Sequence, residues 1–353
     1  MDESKREALR AKYGGAAAGD VQDPNFRKVV DLLFRGADRR AKPYEGIATF
    51  LDAPMRPDAA ARGDFAGIDI PLIGVPMDLG VTHRPGSRLG PRAVRQVERI
   101  GPYHHVHRLV PLAECGVFDI GDVPFRSRYS LEHSHEDIEA FYTPLAKAGL
   151  SPVSVGGDHS ISLPILKALA HHPRLKGRPP GMIHIDAHCD TSGPYEGTRF
   201  HHGGPFREAV LAGVLDPERV IQIGIRGNAE YLWEFSYESG MTVIHAEEFH
   251  ALGIEKTITR MRAVIGNGPC YCSFDIDSLD PAFAPGTGTP EIGGLSSREA
   301  LALLRGAAGL DVVAGDVVEV APQYDSTSNT AHAGAQVLFE IVSLVTLARQ
   351  ARR

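Results

Sequence analysis

The chain has 353 residues, 43% of them hydrophobic, which suffices for one large buried core or two modest ones. With 44 acidic against 37 basic residues, its net charge of -7 and its lack of a basic stripe exclude a general nucleic-acid binder and favour a small cationic ligand. No apolar run reaches the length of about 18 residues that a membrane span needs, and the charged start MDESKREALRAKYGG does not read as a signal peptide, so a cytoplasmic location without membrane contact is expected.

Residues 1–65 form a polar, Ala/Arg/Asp-rich extension, with an apolar helical patch near Val29 to Phe34 and a short element at Gly46 to Leu51. This extension reads as an arm that packs on the body or on a neighbouring subunit. From Ile68 onward, strand-length apolar runs alternate with helical patterns. DIPLIGVP precedes GPRAVRQVERI; CGVFDIGD precedes EDIEAFYTPLAKAG; SPVSVGGD precedes ISLPILKALAHH. GMIHIDAH, RVIQIGIRG and MTVIHAEEF follow, then GIEKTITRMRAVIG, PCYCSFDID, SREALALLRGAAG, VVAGDVVEVAP and the closing helix TAHAGAQVLFEIVSLVTLARQ. Such alternation implies right-handed crossovers and a three-layer α/β/α domain over residues 66–353, with a mostly parallel central sheet. In sheets of this kind the chemistry gathers beyond the carboxyl ends of the strands.

Three strand-like segments end there in side chains suited to a metal. SVGGDHS carries His159, HIDAHCD carries Asp186, His188 and Asp190, and YCSFDIDSLD carries Asp275 and Asp277. Continued as strands, the last two segments put ligands spaced by two on one face, with Ala187, Cys189 and Ile276 pointing the other way. Four carboxylates and two imidazoles are too much acid to bury unpaired. Two divalent metal ions balance the four negative charges, and carboxylates bridge such a pair at about 3.5 to 4 Å. An oxygen-rich donor set without thiolate suits Mn²⁺ best, while the imidazoles leave Ni²⁺, Co²⁺ or Fe²⁺ open. Cys115, Cys189, Cys270 and Cys272 lack a CxxC spacing and are expected as free thiols; Cys270 and Cys272 share a strand face and read as core.

The segments GGDHS, DAHCD and SFDIDSLDPAFAPGTGTPE, with RPGSRLGPRAVR early and DVVEVAPQYD late, resemble the ureohydrolases: arginases, agmatinases and guanidino-acid hydrolases. The resemblance covers about residues 66 to 350, with the segments matching in order, and implies an arginase-like fold. PAFAPGTGTPE and FHHGGPFREAV look closer to the agmatinase and guanidino-acid branch. Carried onto this chain, the resemblance implies one metal on His159, Asp186, Asp190 and Asp275, and a second on Asp186, His188, Asp275 and Asp277. It also implies that His202 shuttles protons, that Asp190 relays one, and that Glu319 pairs with the substrate guanidinium. A carboxylate in that position aims a planar guanidinium by paired hydrogen bonds at a nucleophile made available by the metals. The implied reaction releases urea and an amine, and the implied assembly is a homo-trimer or hexamer, with a hetero-oligomer containing a paralogue as a variant.

Substrate identity should be written in the loops. The Asn and Ser by which arginases hold an α-carboxylate are replaced by TSGPYEGTRF, so free L-arginine is not expected. Arg199 has two readings there, as a partner for a substrate carboxylate or as an ion pair with Glu196. His83 in GVTHRPGSR and Trp233 in NAEYLWEFSYESG either line a tight, partly apolar pocket or pack as ordinary loop residues. The segment YEGIATFLDAP resembles nickel-dependent members acting on guanidine or related small compounds. That keeps guanidine, an alkylguanidine or a biguanide such as metformin as an alternative substrate class. An inactive structural subunit is the rival outside enzymes, against which the complete set of six ligands argues.

Overall fold

The computed structural model describes residues 1–17, 20–34, 42, 44–98, 100–227 and 229–352. The short apolar runs form β1 (Ile70–Val75), β2 (Val117–Asp122), β3 (Val153–Gly156), β4 (Gly181–Ile185), β5 (Val220–Ile225), β6 (Thr242–His245), β7 (Pro269–Asp275) and β8 (Asp311–Val318). They pair in the order β2-β1-β3-β8-β7-β4-β5-β6. All the pairings are parallel. Continuous rather than alternating hydrophobicity is what a sheet covered on both faces requires. Accordingly β1, β3, β4 and β5 are buried at every position.

The two faces bury separate clusters. Ile70, Leu72 and Cys272 pack with Leu303, Leu338 and Met261 from the helices Ser297–Gly306, Asn329–Gln350 and Ile254–Ile265. Ile73, Val75 and Tyr271 pack on the other side with Ile138, Leu166 and Phe206 from Leu131–Lys147, Ser162–Leu169 and Pro205–Leu211. The expected three layers are therefore present, and the sheet is wholly parallel rather than mostly so. All four cysteines are buried, and Cys189, Cys270 and Cys272 are free thiols.

Local signals account for several boundaries. The helix expected from Glu136 begins earlier, at Leu131, because the Ser130 hydroxyl accepts from the His133 amide and caps it. Ser296 and Glu299 close a reciprocal capping box at the start of Ser297–Gly306. The closing helix Asn329–Gln350 is long and apolar enough to cross a membrane, yet 78% of its apolar window is buried against the body. Its Glu340 is also buried, held by Arg305 Nη2 at 2.7 Å and His104 Nε2 at 2.7 Å.

At the N-terminus, the helix Glu3–Tyr13 buries no residue. The helix Pro24–Phe34 meets the body through Lys28 Nζ to Glu114 Oε1 at 3.0 Å and an edge contact of Phe26 on Tyr103. Ahead of residue 66 the chain already enters the core. Phe50 is fully buried, its amide donates to Asp119 Oδ2 at 3.0 Å, and Arg95 lies over its ring.

The topology decides where the chemistry sits. β3, β8, β7 and β4 are consecutive in the sheet, so the segments after Gly156, Val318, Asp275 and Ile185 emerge side by side. That is the strand-end crevice expected of this architecture.

Candidate active site with a cation-binding cluster

The six residues picked out by their spacing come together, but not along continuous strands. β4 stops at Ile185, and Asp186, His188 and Asp190 lie on the turn beyond it, where Asp190 has φ 51°. Asp275 ends β7 and Asp277 sits in the tight turn Ile276–Ser278, whose amide at Asp277 donates to Asp275 Oδ1 at 2.8 Å. The shared-face reading of these segments is thus replaced by turns that fold the candidate ligands inward. Glu319 follows β8 with φ 63°. Left-handed backbone at a residue other than glycine costs about 1–3 kcal/mol and persists where surroundings impose it, commonly at functional sites. His159 is brought in by the glycine turn before it: a Cβ on Gly157 would lie 1.8 Å from the Met77 carbonyl.

His159 is fully buried, and its Nδ1 lies 2.9 Å from Asp190 Oδ2, 3.1 Å from Asp186 Oδ2 and 3.2 Å from Asp275 Oδ2. None of these contacts has hydrogen-bond geometry, so Nδ1 has no hydrogen-bond partner. Three carboxylate oxygens around one bare imidazole nitrogen are disposed as ligands are around a cation. At the other end of the cluster, His188 Nδ1 lies 3.2 Å from Asp277 Oδ2 and 3.6 Å from Asp186 Oδ1. Burial and the charges of Asp277 and Asp186 push the Asp275 carboxyl well above its ordinary range. Burial opposes the charge of Asp186 as well, but His184 and His159 outweigh it and hold that carboxyl well below the usual range. A divalent cation relieves this repulsion, and the donor set of imidazole nitrogen and carboxylate oxygen fits one.

The surrounding hydrogen bonds orient these side chains. His159 Nε2 lies 2.8 Å from Ser273 Oγ, which donates to buried Asp316 at 2.7 Å; this chain puts the proton on Nε2 and leaves Nδ1 bare. His184 Nε2 meets Asp186 Oδ2 at 2.7 Å while its Nδ1 faces the Gln222 side-chain amide at 3.0 Å. His184, left without a role by spacing alone, thereby orients Asp186. Asp158, the aspartate of GGDHS, accepts from the Gly80 amide at 2.7 Å and ties the loop after β1 to this crevice. Burial and the nearby Glu319 charge raise its pKa to about 7.

Glu319 faces the cluster with one oxygen occupied and one free. Oε1 accepts from the His159 amide at 3.0 Å and meets His202 Nδ1 at 2.8 Å, whereas buried Oε2 has no partner. Burial resists protonation of His202, yet the Glu319 charge outweighs it and raises the pKa to about 9. His202 Nε2 lies 2.7 Å from the Thr82 hydroxyl and 3.1 Å from the Thr82 amide.

A cleft of about 480 Å³ opens over the cluster, lined among others by Thr82, Asp190, Tyr195, His202, Trp233 and Glu291. Trp233 is part of the cleft lining, half-buried and 4.5 Å from the His245 ring. His83 does not line the cleft: it is exposed, and its neighbour Thr82 faces the site instead. Arg199 lies outside the cleft lining too, with Nε donating to Glu208 at 3.0 Å, so its ion-pair partner is Glu208 where Glu196 is expected.

This geometry has known relatives. Residues 68–343 match the Arginase family. The chain belongs to the arginase family. It is 48% identical to guanidinopropionase of Pseudomonas aeruginosa, over 86% of this chain and 92% of that protein. It is 41% identical to mitochondrial agmatinase of Gallus gallus, over 86% of this chain and 87% of that protein. The solved proclavaminate amidino hydrolase of Streptomyces clavuligerus superposes with a TM-score of 0.80 at 35% identity, covering 87% of this chain and all of that one. As a member of the family the chain is a hydrolase of C–N bonds in linear amidines, and the resemblance read from its motifs holds.

Proposed function

We propose that the protein is a binuclear-metal ureohydrolase that splits a guanidino C–N bond of agmatine or a guanidino acid into urea and an amine. The observation that carries this reading is the free, buried Oε2 of Glu319, set among carboxylates and imidazoles arranged as cation ligands. His159, Asp186, Asp190 and Asp275 would hold one divalent cation, and Asp186, His188, Asp275 and Asp277 the other. Mn²⁺ is the proposed ion, with Ni²⁺ as the alternative. When bound, the cations supply Lewis acidity and a hydroxide nucleophile at neutral pH.

The chain's own side chains do the rest. Glu319 Oε2 accepts from a guanidinium N–H, and because Oε1 is fixed by the His159 amide and His202, the carboxylate aims the guanidinium carbon instead of swinging with it. Asp190, on the cleft wall, takes the proton released in the attack. His202, carrying a proton at neutral pH beside Glu319, supplies the leaving amine and exchanges with solvent through the Thr82 hydroxyl. Urea and the free amine then leave through the open cleft.

The names of the relatives, guanidinopropionase and agmatinase, support a guanidino substrate with a short tail. A second reading, hydrolysis of guanidine, an alkylguanidine or a biguanide such as metformin, draws support from the aromatic lining of Tyr195, Tyr231 and Trp233 and from Arg199 lying outside the cleft. The complete ligand set supports a working site over an inactive structural subunit. Assembly as a homo-trimer or hexamer, or with a paralogue, and a cytosolic location belong to the same proposal; light scattering tests the first.

Urea release tests the reaction. Protein loaded with Mn²⁺ or Ni²⁺ is assayed on agmatine, 4-guanidinobutyrate, 3-guanidinopropionate, arginine, guanidine, dimethylguanidine and metformin. Turnover of agmatine or a guanidino acid is expected. Turnover confined to guanidine, dimethylguanidine or metformin favours the second reading, and no urea from any of them by metal-loaded protein contradicts both.

A further inference from the structure

The segment Thr289 to Glu291 lies against only one end of the carboxylate cluster. Thr289 Oγ1 donates to Asp277 Oδ2 at 3.2 Å, and Glu291 Oε1 lies 3.7 Å from His188 Nε2, the ring nitrogen pointing away from the cluster. The opposite nitrogen, Nδ1, faces Asp277 and Asp186. We propose that Glu291 is a positioning residue for His188, fixing the proton on Nε2 so that the Nδ1 lone pair serves the cation held with Asp277. The inference rests on the binuclear reading above and adds to it a residue outside the six ligands.

Two further features hold Glu291 in place. Buried Arg226 spends its guanidinium on main-chain carbonyls, with Nη2 donating to Asp277 at 2.7 Å and to Glu291 at 2.8 Å. One side chain thus clamps the ligand turn after β7 to the backbone of Glu291. Gly227, next in the chain at φ 87°, makes room for the carboxylate: a Cβ there would lie 2.9 Å from Glu291 Oε1. A carboxylate behind a metal-ligating imidazole raises its basicity and fixes its tautomer, and losing such a partner costs about 10–100-fold in metal affinity. His159 has its own partner in Ser273, so the effect should stay at the His188 end.

The test is equilibrium dialysis against Mn²⁺ of wild type, Glu291→Gln, Glu291→Leu and Gly227→Ala, with melting curves to confirm folding and electron paramagnetic resonance to detect the coupled Mn²⁺ pair. Expected are two ions in wild type and, in each variant, one ion retained and the other weakened about 10–100-fold, with loss of the coupled signal and Gln milder than Leu. Wild type binding no ion would overturn the binuclear reading itself. Wild type binding two while folded Glu291→Leu and Gly227→Ala also bind two with unchanged affinity would overturn the role of Glu291. Raised KM with unaltered occupancy would overturn it as well, because it would make Glu291 a substrate contact.

Discussion

The two ends of the carboxylate cluster are built differently. Around His159 the supports come from strands: Ser273 on β7 and Asp316 on β8 are fully buried, and the imidazole has no exposed surface. Around His188, whose side chain is 30% exposed, the supports are loop residues, Thr289 and Glu291, at the edge of the cleft. On the proposed binuclear reading, a deeply buried end and a more exposed end would hold their cations with unequal affinity, although both would draw on Asp186 and Asp275.

The largest effect should come from removing what the ends share. Asp275→Ala is expected to abolish cation binding at both positions and bring urea release to background, as read by metal content and turnover; binding of one ion with full affinity would separate the ends more than the geometry allows. Next, Glu319→Gln should keep both ions while turnover falls about 10²-fold or more, because an amide no longer aims the guanidinium. Retained activity would remove Glu319 from the mechanism. Smaller, and confined to the His159 end, Ser273→Ala should weaken one ion by about 10–100-fold while sparing the other, measured by the same dialysis.

A pH experiment addresses the histidine beside Glu319. His202 has its folded pKa raised from an ordinary 6.5 to about 9, so its partnership with Glu319 stabilises the fold fully below about pH 6.5 and is lost as pH rises through about 9. Cation-free wild type should therefore lose melting temperature across that window, and His202→Asn should show a flatter profile. The smallest effect on turnover is expected from Arg199→Ala, because Arg199 lies outside the cleft and its largely exposed guanidinium pairs with buried Glu208. A KM for guanidino acids raised tenfold would restore a substrate role to Arg199.

The same contrast explains what could be read from the amino-acid order. Strand-length apolar runs between helical patterns announced the layered parallel sheet, because burial on both faces leaves an unbroken hydrophobic signature. The cluster of aspartates and histidines was visible because residues that cannot be buried alone stood together after such runs. Its geometry was not: Asp186, His188 and Asp190 meet through a turn with left-handed backbone at Asp190, where an extended strand had been expected. Residues acting across the sequence were silent as well. Thr82 beside His202, and Glu291 behind His188, are separated from their partners by more than a hundred positions, and no local pattern marks loop contacts of that kind. Loop residues such as His83 and Arg199 stand out by chemical type, while backbone path decides whether a loop side chain meets a cleft.

The most direct measurement is the metal content of the purified protein after dialysis against Mn²⁺, with urea release followed on the same sample before and after chelation. Two ions per chain are expected, and urea release that disappears with the ions and returns with them. Urea release that survives complete removal of metal, or a folded protein that takes up no divalent ion, would contradict the binuclear reading.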